Sequence, residues 1–462
     1  MNTTVIDNNG QQADQDISFK EKLAYGLGDF ATGFSGVTVG TFALYYYTDI
    51  VGVSATLLGA VLLFSRVFDA VINVVMGFIV DRTKSKHGKA RAWILWSTIP
   101  FGLSLIMVFS APENWSEFAL LIFAAITLNI HWIIYTSSNI PYGTLAALMT
   151  QNSYQRSRLN TYRMLCYFAS MLIIPYITLP MVDFFGGGER GWQLTMIIYA
   201  AILILTFFYT FFNTKERIKP INQFKYNAPS LGVSLKTLLA NKYWVTMFFT
   251  MLVSFSILGL INGVGVYYAK YLLADSQLIG LINMAFALPL VMVLMCSAYI
   301  LKIMSRLTFI IVGMATIILG SVIMAIAPHD TYVAIIGTIL RGAGFAPIMG
   351  NAYSMLANTI DYGEWKFGIR NDGLVYSGGS FSAILGSGIA SGGIGWVLGM
   401  AGYIATNVTN QPESVLTTLQ VLFIYSPLVL SAITILLLRF YTLEKIYPDI
   451  IKDLAQRTHN VY

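Results

Sequence analysis

The stretch Val53–Leu95 reads VSATLLGAVLLFSRVFDAVINVVMGFIVDRTKSKHGKARAWIL. From Val53 to Val80 it stays apolar long enough to cross about 30 Å of hydrocarbon as one helix. A loop with Arg82, Lys84, Lys86, Lys89 and Arg91 follows, and a second apolar run starts at Trp93. Inside the first run stand Arg66, Asp69 and Asn73. An ionised side chain at the centre of a bilayer costs at least ~3 kcal/mol, so charges placed there are rarely incidental.

The rest of the chain repeats this pattern. Apolar residues make up 56% of it and charged residues 11%, against roughly 25% charged in a soluble domain. The reading is an all-α polytopic membrane protein with twelve spans. They begin near Leu23, Leu57, Trp93, Phe118, Met164, Leu194, Tyr243, Leu278, Thr308, Tyr332, Gly373 and Leu416. Eighteen basic residues fall in alternate loops, while the loops between carry only Arg190 and Lys270. That asymmetry predicts a cytoplasmic basic side, with both termini inside. It also accounts for the net charge of +6 without invoking nucleic acid.

The longest basic loop divides the spans six and six, a plan that places a substrate site at the bilayer midplane between two rocking halves. Residues 1–22 read as a disordered cytoplasmic arm rather than a signal peptide, and 23–212 as the first bundle. Residues 213–242 read as the central cytoplasmic loop, 243–441 as the second bundle and 442–462 as a cytoplasmic tail. No clean repeat is visible between the halves. Cys166 and Cys296 lie in apolar segments and imply no disulfide framework. A membrane enzyme is disfavoured: no loop has room for a catalytic domain, and no metal or nucleophile cluster appears. The expected setting is the plasma membrane, for a monomer without cofactor or metal.

Arg66, Asp69 and Asn73, three and four apart, share one helical face. They form either a structural pair that neutralises itself or a carboxylate that exchanges its partner for a cation during transport. Asp29, in YGLGDFATGFSG, is a second intramembrane acid amid glycines that let a ligand or backbone approach. Its other reading is a buried carboxylate bonded to Tyr25 or a neighbouring helix. In NIHWIIYTSSNIPYGTL, Trp132, Tyr135, Thr136, Asn139, Tyr142 and Gly143 fall on one face. Rings beside amides and hydroxyls suit a sugar, whose C–H faces pack on aromatics, although such a stripe also serves plain packing. His131 reads as a packing residue. Arg341 has no acid in its own helix before Asp361, so it either snorkels or faces the cavity and pairs with Asp69 or substrate. The glycine-dense run from Ser377 to Gly402 reads as a close helix contact or a sliding one.

YGLGDF, YYYTDIVG, RVFDA…MGFIVDRTKSKHGKARAWIL, NIPYG, LPMVDFFGGGERGW and DYGEWKFGIR together carry a resemblance almost end to end. The chain resembles the glycoside–pentoside–hexuronide:cation symporters, the family of melibiose permease, within the major facilitator superfamily. The resemblance implies two six-helix bundles carrying a sugar or glycoside with a cation by alternating access. It puts Asp69 on the first carboxylate of the family's cation site and Thr136 on its helix-four hydroxyl. A second carboxylate of that site is Asn73 here, a helix-four sugar-binding carboxylate is Asn139, and a helix-eleven lysine is Ile384. A helix-one sugar-binding carboxylate falls at Gly33, and a helix-five arginine that reaches sugar at Arg163. These departures favour a pentoside or β-glycoside and a proton over sodium. The resulting expectations are cation coupling at Asp69, Asn73, Thr136 and Arg66. Substrate contact is expected from Asp29, Trp132, Asn139, Tyr142, Arg163, Arg341 and Ser380. Charge pairs of Arg156, Arg158, Asp361, Glu364 and Arg370 would close the cytoplasmic side. An uncoupled facilitator or exchanger, and a lipid-moving relative of the same fold, are the rival readings.

Overall fold

A computed structural model describes residues 17–150, 153–217, 231–369, 372–404 and 411–459, all helical apart from short connections. The first half runs α1 (Phe19–Tyr45), α2 (Ala55–Arg82), α3 (Arg91–Val108), α4 (Glu117–Met149), α5 (Ser153–Phe184) and α6 (Gly188–Asn213). A short α7 (Leu231–Ala240) lies in the central loop. The second half runs α8 (Lys242–Tyr267), α9 (Leu278–Ile300), α10 (Arg306–Ile326), α11 (Thr331–Phe367) and α12 (Asp372–Met400), then α13 (Glu413–Gln420) and α14 (Ser426–Leu438). A final helix, α15 (Leu443–His459), occupies the tail.

Eleven of the described segments are long and apolar enough to cross a membrane; α13 and α14 form one of them through the π-helical turn Val421–Tyr425. Of the twelve expected spans, the one outside that set is α1, whose glycines, threonines and Asp29 dilute its hydropathy. Its 27 residues nevertheless rise about 40 Å, and it packs on α5, α6 and α8. Ser18 caps its start, accepting from the Glu21 amide at 3.2 Å.

Within the first half, α1 packs on α5 and α6, while α3 packs on α4 and α6. In the second half α8 packs on α12 and α14, and α11 on α9 and α10. The halves meet along α2–α12 and α5–α9. Both seams are made by glycine. A methyl at Gly59 would strike the backbone of Gly392 and Gly395, and one at Gly280 the backbone of Tyr176. This gives the glycine-dense α12 its role as a close helix contact.

Two helices reach further than the sequence reading expects. α5 starts at Ser153 rather than near Met164, because SYQRSRLNTY contains no helix breaker and continues the helix beyond its apolar part. α11 runs on to Phe367, where Gly368 ends it in a left-handed turn at φ 69°. Arg158, Asp361 and Glu364 therefore stand on helices rather than in loops.

A candidate transport site

Asp69, in the middle of α2, is 3% exposed and faces α4. The Thr136 hydroxyl donates to its Oδ1 at 2.6 Å. The Asn73 amide donates to the same Oδ1 at 2.9 Å, to the Asp69 carbonyl at 2.8 Å and to Thr136 Oγ1 at 3.2 Å. The three residues thus form one buried cluster in which Asn73 acts as donor. No ion pair joins Arg66 to Asp69 among the described residues. The Arg66 guanidinium lies instead over the Trp132 ring, 3.7 Å from its centroid, a cation–π contact. Arg66 and Trp132 line a small cavity of about 20 Å³ with Gly40 and Leu44 of the first half and Gly263, Ser391 and Ile394 of the second. That cavity lies between the halves, where a rocking transporter holds its cargo.

Asp29 makes a second buried group on the other side of α1. Arg163 Nε donates to its Oδ2 at 3.0 Å and Thr32 Oγ1 to its Oδ1 at 3.1 Å. Tyr142 is fully buried beside them. Its ring stacks on Tyr25 at 4.9 Å, its hydroxyl donates to the Tyr25 carbonyl, and the Arg163 guanidinium covers its other side at 5.1 Å. Gly28 makes room for that ring. Trp132 and Tyr142, one stripe in sequence, therefore part company: one lines the cavity and the other locks α4 to α1. Asn139 is half-buried, and its amide makes no hydrogen bond among the described residues. Ser380 of α12 is half-buried, 3.4 Å from the Tyr353 hydroxyl. His131 bonds Ser35 Oγ and Ser104 Oγ, both at 3.0 Å, as a packing residue should.

Arg341 departs from the expectation of a cavity-facing cation. It is completely buried inside the second half, bonded to Ser321 Oγ at 3.0 and 3.1 Å and to the carbonyls of Phe423 and Ile424 at 2.8 and 3.2 Å. The physical reason is the π-helical turn Val421–Tyr425, which presents main-chain oxygens to the guanidinium, so neutral acceptors take the place of an acid.

At the end of the bundle that carries the basic loops, Asp361 accepts from the Tyr447 hydroxyl of α15 at 2.7 Å, and Trp365 donates to Asp453 at 3.1 Å. Arg158 is exposed on α5, and Glu364 is half-buried on α11. The Arg156 side chain and Arg370 lie outside the described residues.

The sequence reading did not single out the opposite end. Asp49, whose side chain is 1% exposed, accepts from Lys270 Nζ at 2.5 Å and Tyr271 OH at 2.9 Å on Oδ1. Its Oδ2 accepts from Tyr403 OH at 2.6 Å and Thr48 Oγ1 at 2.7 Å. Two signals could have found it: YYYTD, and the isolation of Lys270 on a side nearly free of basic residues.

Residues 24–445 match the family profile described as MFS/sugar transport protein. The isoprimeverose transporter of Lactiplantibacillus pentosus is 32% identical over 447 residues, 96% of this chain and 92% of that protein. The putative glycoside/cation symporter YagG of Escherichia coli is also 32% identical, over 455 residues, 95% of this chain and 96% of that one. Among solved structures, a D-xylose-proton symporter superposes with a TM-score of 0.63 at 13% identity, over 92% of this chain and 97% of that one. The nucleoside transporter NupG superposes at 0.59 and 14% identity, over 93% of this chain and all of that one. At such identities these two structures share the fold, the two-bundle architecture of the major facilitator superfamily.

Proposed function

The chain belongs to the MFS/sugar transport protein family, and from that premise we propose that it carries a pentoside or β-glycoside into the cell by alternating access, with a proton taken up at Asp69. The observation that carries this reading is the buried Asp69 carboxylate, held by Thr136 and Asn73 without an ion-pair partner among the described residues. A carboxylate in such a place accepts a proton and becomes neutral. Sodium demands several oxygens in place of its water, and Asn73 turns its amide nitrogen, not its oxygen, toward Asp69. Protonation removes the negative charge from α2, while Arg66 keeps its positive charge at the cavity, held on the Trp132 ring.

The substrate meets Arg66, Trp132 and Asn139 from the first half and Ser380 from the second. Rings and unengaged donors there suit the C–H faces and hydroxyls of a sugar. Asp29, Arg163 and Tyr142 set the place of α1 against α4 and α5 around that site. The basic loops face the cytoplasm, where Arg156, Arg158, Asp361, Glu364 and Arg370 close the inner end. The names of the isoprimeverose transporter and the glycoside/cation symporter support the substrate class.

Proteoliposomes test this with labelled isoprimeverose and a panel of pentosides and β-glycosides. Accumulation should follow an imposed pH gradient and ignore a sodium gradient. Accumulation driven by sodium at constant pH would overturn proton coupling. Equilibration with no response to either gradient would favour an uncoupled facilitator.

A further inference from the structure

The first helix of each half ends in the same way. α1 passes into the π-helical turn Tyr46–Ile50 and α8 into the π-helical turn Tyr268–Leu272. In the register of the two turns Tyr46 matches Tyr268 and Asp49 matches Tyr271, so Asp49 and Lys270 lie on matching turns, one position apart. They bind each other across the seam. Around them, Tyr271 and Tyr403 of the second half donate to the Asp49 carboxylate, and Thr48 shares a 2.7 Å bond with Tyr267. Four donors fill the carboxylate, three of them from the opposite half. The Lys270 ammonium also lies 5.1 Å from the Tyr45 ring and 5.0 Å from that of Tyr271.

From this geometry we infer that Asp49 is the catch of a lock that holds the outer end of the transporter shut, with Lys270, Tyr271 and Tyr403 as its keepers. The inference rests on the transporter reading and orientation given above. A buried carboxylate with both oxygens filled is stable only while its cation remains, because a lone buried charge is heavily penalised. The lock is therefore dry when shut, and it opens only when water enters to take up both charges. Its place also fits. Gly40 of the cavity lies nine residues below Asp49 on the same helix, about 13 Å at 1.5 Å per residue. Access to the cavity from the outer end thus passes the lock.

Gly40→Cys provides the reporter, since a side chain there meets nothing within 4 Å. It is placed in a Cys166→Ser, Cys296→Ser background, with Asn114→Cys, on an exposed loop at the same end, marking which face of the vesicle is outside. A membrane-impermeant thiol reagent is added on the face where Asn114→Cys reacts. Asp49→Ala and Lys270→Ala should each raise the Gly40→Cys labelling rate tenfold or more. Tyr403→Phe should raise it a few-fold, and the exchange Asp49→Lys with Lys270→Asp should bring it back toward the parent rate. Unchanged labelling in all single variants, or no recovery in the exchanged pair, would overturn the lock. If the alanine variants fail to reach the membrane, Tyr271→Phe and Tyr403→Phe decide the question, because each removes one hydroxyl. Reaction of Asn114→Cys from the cytoplasmic face would overturn the orientation and leave the lock itself still measured.

Discussion

Arg66 and Asp69 stand one helical turn apart on α2, yet they face different partners: the guanidinium lies on Trp132 at 3.7 Å, and the carboxylate is held by Thr136 at 2.6 Å. The separation gives the two charges separate tasks. Asp69 is free to take a proton without first breaking an ion pair, and Arg66 stays directed into the space between the halves. In the proposed mechanism, Arg66→Ala should weaken substrate binding while leaving the ratio of protons to substrate intact. Equilibrium exchange measured over a range of substrate concentrations checks this.

Thr136→Val and Asn73→Ala each remove a donor to Asp69. Both should depress uphill accumulation more strongly than downhill exchange, since only the former needs the carboxylate to cycle. Side-by-side measurement of the two fluxes, at equal protein in the vesicles, reads the difference. Equal losses in both would make these residues structural.

Arg341→Met should be a stability variant, not a transport one. It removes the guanidinium from the Phe423 and Ile424 carbonyls and leaves Ser321 only its bond to the Ile317 carbonyl, at about 1–3 kcal/mol for each buried group left unsatisfied. The purified protein should melt markedly earlier, while its folded fraction binds substrate normally. A loss of binding with an unchanged melting curve would return Arg341 to the site.

Tyr142→Phe deletes the hydroxyl that bonds the Tyr25 carbonyl and leaves the stacked ring in place, a loss of about 1 kcal/mol. Tyr142→Ala also empties the slot beside Gly28 and should cost roughly 3–5 kcal/mol. Melting curves of the two variants in detergent should fall in that order.

Much of this was legible in the sequence for one reason: a polar residue inside hydrocarbon is expensive, so Arg66, Asp69 and Asn73 stood out before any fold was known, while Thr136 came from the stripe on its helix and from the family resemblance. Helix starts followed from hydropathy wherever an apolar run began at a loop, and slipped at α5, where a polar stretch kept the helix going. Arg341 shows the limit. The sequence registers the cost of its charge but not the remedy, which comes from backbone carbonyls some eighty residues further on. Tyr142 and Trp132 share a helical face by spacing, and only the neighbours, Gly28 for one and Arg66 for the other, set them apart. Asp49 and Lys270 lie on matching turns of the two halves, a likeness spread over so few residues that no repeat was apparent.

The central claim is that Asp69 carries the coupling, and Asp69→Asn tests it most directly. In proteoliposomes with an imposed pH gradient, the variant should catalyse exchange of labelled for unlabelled substrate but accumulate none above equilibrium. Accumulation by Asp69→Asn to the parent level would contradict the account.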